Sequence, residues 1–154
     1  EIAQCLVGSE MCIRDRYWHG NEPCHQVAYL YDVAGAPEKT QERVHHILQT
    51  EYNDTPGGLS GNDDAGQMSA WYVFSSIGFY PVCPGTPYYY IGTPSFDKVT
   101  LNLENGRKFI LSADRQHIDD YLIQSVTLNG KPLADYRLSH QQILTGGELH
   151  FQMK

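Results

Sequence analysis

The hydrophobic period changes near Pro81, and this change limits the folds open to the chain more than any other feature. Before Pro81, apolar residues recur every three to four positions, the repeat of one helix face. After it they alternate, the repeat of a strand with one buried side. Helices followed by strands define an α+β chain, because a parallel α/β sheet would interleave the two.

Three helices are expected. Val27, Ala28, Leu30, Tyr31 and Ala34 form a stripe that begins after Pro23 and stops at Gly35. Pro37 opens a second helix in which Val44, Ile47 and Leu48 share a face, while Glu38, Lys39, Gln41, Glu42 and Arg43 remain in solvent. The short link Gly35-Ala36 makes the two a hairpin. Residues 53–61 (NDTPGGLSG) read as a loop. A third helix runs from Asp63 or Asp64 to Gly78 with Met68, Ala70, Trp71, Val73, Phe74 and Ile77 around most of its circumference, as in an interior helix, and Trp71 is read as core. The joint falls within Pro81–Gly92. Short β-rich runs then follow at 88–91, 99–103, 109–111, 126–128 and 149–153, and Asn105-Gly106 and Asn129-Gly130 supply hairpin turns, so the second half is expected to be antiparallel β.

Composition narrows the function. Lys and Arg number 11 against 18 Asp and Glu, a net charge of -7, so the phosphate-neutralising attraction of nucleic-acid binders is missing. No apolar run approaches the roughly 18–20 residues of a membrane span. Tyr and Trp on a chain of low charge suit a neutral polar ligand such as a sugar, or a divalent cation held by carboxylates. Cys5, Cys12, Cys24 and Cys83 form no CxxC pair and read as thiols, and His45-His46 reads as a solvated pair, since neighbours on a helix point about 100° apart. Residues 1–16 show no period of 2 or 3.6 and are similar to translated sequencing-adapter DNA. They are set aside as a non-native segment.

Two polar clusters each precede an expected helix: His19-Gly20-Asn21-Glu22-Pro23-Cys24-His25, and Gly57 to Gln67 with Asn62-Asp63-Asp64 at its centre. Asn21, Asn62 and Asp63 could serve as helix caps. Capping does not account for Asn-Asp-Asp beside glycines at 57, 58 and 61, nor for His, Asn, Glu and His crowding the other start. Glycine permits close backbone approach, and neighbouring carboxylates carry an electrostatic cost that a bound cation or a catalytic task would offset.

These clusters, with Tyr29-Leu30-Tyr31, Gly35-x-Pro37-x-x-Thr40-Gln41, Gly61-Asn-Asp-Asp-x-Gly-Gln-Met-Ser-Ala-Trp-Tyr-Val-Phe-Ser75 and Gly78-Phe-Tyr-Pro-Val82, closely resemble glycoside hydrolase family 92, the calcium-dependent exo-acting α-mannosidases. The stretch 89–96 and the ending 126–151 resemble the C-terminus of the family, so the resemblance spans Tyr17 to Lys154 and only the last part of a much longer member. It implies that residues 17–86 are part of an (α/α)6 barrel catalytic domain, that 87–154 are a sandwich-like β region, and that the mechanism inverts the anomeric centre. It implies Asp64 as general base, with Asp63 or Asn62 orienting the water. Asn21 and Glu22 look like calcium ligands, and His19 like a substrate contact. Gly20 stands next to it, where members preferring α-1,2 links can carry an acid. The family's general acid lies upstream of His19, so the resemblance implies that this chain holds the base without the acid and is inactive alone on mannose-containing glycans. It further implies a missing N-terminal part and a periplasmic or extracellular location. Two other readings stay open: a calcium-dependent carbohydrate-binding module, and another (α/α)6 glycoside hydrolase or phosphorylase.

Overall fold

A computed structural model describes residues 17–154, so the expectation for the adapter-like segment 1–16 lies outside the described residues. The single helix expected after Pro23 is a correction. The chain forms 3-10 turns at Glu22–Cys24 and Val27–Tyr29 and then one α turn, α1 (Leu30–Val33). The cause lies 46 residues away. The indole N–H of Trp71 donates to the carbonyl of His25 at 3.0 Å, where an α-helix would place the amide of Tyr29, and that amide bonds to Gln26 O at 3.1 Å instead. Gly35, with φ 76, ends this segment as expected.

Helix α2 (Pro37–Thr50) buries Thr40, Gln41, Val44, Ile47 and Leu48. The period of the helix places Gln41 in solvent, yet its Oε1 accepts the amide of Ile123 at 2.8 Å. Helix α3 (Gln67–Ile77) begins later than expected, because Asp64, Ala65 and Gly66 have φ of 47, 57 and 91, which no right-handed helix includes. Trp71 is fully buried, whereas Tyr72 and Val73 on the opposite face are exposed.

The strands are β1 (Phe79–Tyr80), β2 (Tyr88–Ile91), β3 (Lys98–Asn102), β4 (Lys108–Asp114), β5 (Ile123–Leu128), β6 (Lys131–Pro132), β7 (Arg137–Ser139) and β8 (Gly147–Met153). They form a three-stranded sheet, β1-β2-β7, and a five-stranded sheet, β3-β4-β8-β5-β6. The hairpin β1–β2 straddles the expected boundary at 86/87, so the joint is a strand pair rather than a linker. The expectation of an antiparallel second half needs one correction: β8 lies parallel to β4 while antiparallel to β5. A short helix, α4 (His140–Leu144), turns the chain into β8. It starts in a capping box, in which Gln142 N donates to Ser139 Oγ and Ser139 N to Gln142 Oε1, and it is not among the three helices expected from the sequence.

Phe79, Ile91 and Leu138 of the small sheet share one core with Phe109, Leu111, Leu149, Phe151 and Met153 of the large one. A second core holds Tyr29, Val44, Ile47, Met68 and Trp71, and Phe74 packs against both. Tyr29 Oη also lies where a Cβ on Gly92 would stand only 2.9 Å away, so this glycine lets the β half close on the helices. Among the described residues no helix is long and apolar enough to cross a membrane.

Gln41 thus joins helix to sheet across 82 positions. Gln41→Leu strands the buried amide of Ile123 and should lower stability by about 1–3 kcal/mol, whereas Glu42→Leu on the exposed face should change it by less than about 0.5 kcal/mol. Urea unfolding of the two variants checks this.

Candidate active site at the meeting of two loops

The two polar clusters meet through glycine backbones. A Cβ on Gly20 would collide with Ser60 O and lie 2.6 Å from Trp18 Cζ2, and one on Gly61, at φ 86, would lie 3.0 Å from Gly20 O. Trp18 closes the junction, its Nε1–H donating to Ser60 Oγ at 3.1 Å. Gly20 therefore has no space for an acid.

Beneath the junction runs a buried chain of hydrogen bonds. His19 is 1% exposed. Tyr52 Oη donates to Met68 O at 3.1 Å and so accepts from His19 Nε2 at 2.6 Å, which leaves His19 Nδ1 to accept from Tyr17 Oη at 2.8 Å. His25 Nε2 donates to His19 O at 2.9 Å, and its Nδ1 accepts from Gln67 Nε2 at 3.3 Å. Gln67 gives its other proton to Tyr80 Oη at 3.1 Å. Both rings are therefore neutral, each with a defined tautomer. Burial, with the stacked His25 ring adding, holds His19 down to about 3, and burial also lowers His25.

The proposed site residues fall into three groups. Asn21 and Glu22 are half-buried at the start of the first 3-10 turn. Asn21 makes no capping bond with its side chain, its amide instead reaching Cys24 Sγ at 3.8 Å. Asp63 does cap: its Oδ1 accepts from the amide of Ser69 at 2.9 Å and from Ser69 Oγ at 2.8 Å, a helix start that the glycine at 66 could not cap. Asn62 and Asp64 are exposed, and Asp64 is held in the left-handed region. For non-glycine residues this conformation costs about 1–3 kcal/mol each and clusters at functional sites. His19, expected at the substrate, lies inside with both nitrogens engaged, and further chain could only bury it more. His25, Gln67 and Tyr52, which hold the two clusters together, received no role in the sequence reading. His25 and Gln67 stood within its motifs, while Tyr52 lay outside them.

Asn21 and Glu22 offer hard oxygen donors suited to calcium, but two side chains fall short of the roughly six to eight ligands it takes. No group of three His, Cys, Asp or Glu side chains among the described residues is placed to hold a metal ion. Cys24 and Cys83 are free thiols, as expected.

Residues 7–154 match the family model of the glycosyl hydrolase family 92 catalytic domain, and the chain belongs to that family. It is similar to the family 92 α-mannosidase BT3965 of Bacteroides thetaiotaomicron, at 43% identity and a TM-score of 0.85 over 90% of this chain and 19% of that one. The family 92 inverting mannosidase BT2199 of the same organism matches at 44% identity and a TM-score of 0.84 over 95% of this chain and 20% of that one. A protein of Arthroderma benhamiae described as an uncharacterized secreted glycosidase is 34% identical over 138 residues, 87% of this chain and 18% of its own. The chain thus spans about a fifth of the length of these relatives.

Two outcomes follow from the buried junction. Unfolded histidine takes its proton near 6.5 and His19 in the fold only near 3, so between these values the unfolded state binds the extra proton. Stability should therefore be full above about pH 6.5 and fall as pH drops below it, by up to about 1.4 kcal/mol per unit from this ring. His19→Gln should flatten that slope in urea unfolding curves taken along the pH series. Gly20→Ala should destabilise by more than about 1 kcal/mol through its clash with Ser60 O, and a melting curve that matched the parent would refute the contact.

Proposed function

We propose that this chain is the C-terminal part of an inverting, exo-acting α-mannosidase that hydrolyses terminal α-linked mannose of glycans, with Asp64 as its general base. One observation carries the reading: an exposed aspartate in the left-handed region, on a loop whose backbone touches the turn bearing Asn21 and Glu22. Family membership and the likeness to two family 92 mannosidases support it. The three helical segments would then belong to the closing part of an (α/α)6 barrel completed by the rest of the parent chain.

In this reading Asp64 takes a proton from water as the water oxygen bonds to the anomeric carbon. The glycosidic bond breaks on the opposite face, and the leaving oxygen gains a proton from an acid on the remaining parent chain. Room for the water sets the two carboxyl groups roughly 6.5–9.5 Å apart, and a single displacement inverts the centre. Asp63 holds the loop through Ser69 rather than reacting, and Asn62 lies beside the base to contact the sugar. His19 acts as a positioning residue that fixes the turn from within, while the backbone of Gly20 sets how closely the loops approach. Asn21 and Glu22 would hold part of a calcium shell, with donors from the rest of the parent, water or substrate completing it. When bound, the ion would polarise the sugar hydroxyls. Without the acid, the 154-residue chain alone should not turn over an unactivated glycan. The reading places the protein in the periplasm or outside the cell, and the description of the Arthroderma relative as secreted supports the extracellular location.

In the parent enzyme Asp64→Asn should lower kcat by about 10²–10⁴-fold, the usual size of general-base catalysis, with the fold intact. Glu22→Gln should chiefly raise the calcium concentration needed for activity. Steady-state kinetics with a calcium titration check both. Asp64→Asn within about threefold of the parent would remove Asp64 from the role of base.

A further inference from the structure

Asp64 stands at the head of a tight left-handed turn whose far end is Gln67. The amide of Gln67 donates to the carbonyl of Asp64 at 3.2 Å, and Ala65 and Gly66 between them have φ of 57 and 91, as in a type I′ turn. Asp63 joins this turn to the start of α3. Its carbonyl accepts from the amide of Met68 at 3.2 Å, and its Oδ1 accepts from the amide and hydroxyl of Ser69. All these bonds lie within residues 63–69. They set the shape of the turn and its relation to the first residues of α3, but not where those residues stand relative to the turn bearing Asn21 and Glu22.

That second relation comes from one face of α3. Gln67 and Trp71, four positions apart and so side by side on the helix, both grip His25: Gln67 Nε2 donates to its ring Nδ1 at 3.3 Å, and the indole N–H to its carbonyl at 3.0 Å. His25 follows directly on the Glu22–Cys24 turn, its amide donating to Glu22 O at 3.0 Å and its Nε2 to His19 O at 2.9 Å. Trp71 thus anchors the body of the helix, and Gln67 anchors its first residue. The other side-chain N–H of Gln67 goes to the buried Tyr80 on β1, at 3.1 Å, so the carboxamide is held from two elements at once. Glutamine suits the place because it carries two donors for two acceptors, whereas a glutamate would set an oxygen against the Nδ1 lone pair. We propose that Gln67 is a positioning residue of the candidate active site: by giving both N–H groups to His25 and Tyr80, it sets where the Asp64 turn stands relative to the Asn21–Glu22 turn. The proposal rests on the reading of Asp64 as general base and adds the residue that aims it. A base must lie within hydrogen-bond reach of the water it activates, and a misplacement of about 1 Å costs around 10²-fold in rate.

A double-mutant cycle in the parent enzyme tests it. Gln67→Met keeps the length and apolar stem of the side chain and removes both donors. It should lower kcat by about ten- to a hundredfold with KM within about threefold, because the chemical step and not sugar binding depends on the aim of the base. Beside Asp64→Asn, where no base remains to be aimed, Gln67→Met should cost less than about twofold. A residue that merely supports the fold would lower the amount of active enzyme and so cost the same factor in both backgrounds. Tyr80→Phe keeps the ring and removes one acceptor, and it should move kcat the same way by a smaller factor. It decides the matter if a thermal melt shows Gln67→Met unfolded at the assay temperature. The proposal is overturned if the folded variant keeps kcat within about twofold of the parent, if the loss falls on KM instead, or if it is undiminished beside Asp64→Asn. Asp64→Asn alone within about threefold of the parent removes the base and this proposal with it, and that failure of the catalytic reading is visible before Gln67 is changed.

Discussion

The contact of Gly20 with Ser60 and Gly61 leaves no space for a side chain, and the candidate site depends on that closeness. Two loops whose contact residues, Gly20 and Ser60, are 40 positions apart in sequence become one surface. A glycine contact alone is cheap to open, so the arrangement also needs the hydrogen bonds beneath it. Trp71 holds the carbonyl of His25, Gln67 holds its ring, and Tyr52 joins His19 to the backbone of α3. Helix α3 is thus the floor on which both clusters rest, and its packing through Phe74 against both cores ties that floor to the sheets.

Neutral histidines are central to this floor. A protonated His19 would face the stacked ring of His25 at 4.7 Å between centroids and would lose its bond from Tyr17. Buried polar networks of this kind specify one arrangement when every member is satisfied and cost heavily when one is not. The left-handed backbone of Asp64 and Ala65 lies between Asp63, which caps α3, and Gln67, which bonds the His25 ring. Asp63 contributes from the loop side, capping α3 across three left-handed residues that would otherwise leave its first turn open.

Local signals in the sequence carried far. The β-rich runs and the Asn-Gly turns predicted where strands and hairpins lie, because a turn and a two-residue period are properties of neighbouring residues. Direction is not: a strand with one buried face alternates whichever way it runs, so the parallel pairing of β8 with β4 was not legible. The same limit explains the broken first helix, whose i to i+4 bond is displaced by an indole far along the chain. Gln41 looked like a solvent residue by its spacing on α2 and is instead the acceptor for a strand amide. In the candidate site, the motifs named two loops that the structure brings into contact. What they did not reveal was which polar residues face outward, since burial of His19 and exposure of Asp64 arise only when the two loops meet.

The position of β8 has a consequence for how such a molecule comes into being. Strands β3 and β4 form one hairpin and β5 and β6 another, and β8, which follows both in sequence, is the strand that lies between them. Until it inserts, β4 and β5 each present an unpaired inner edge, and Leu149, Phe151 and Met153 are missing from the centre of the core. The sheet is therefore assembled by its final strand during synthesis. Its earlier hairpins must wait for β8 with open edges that invite pairing with other chains.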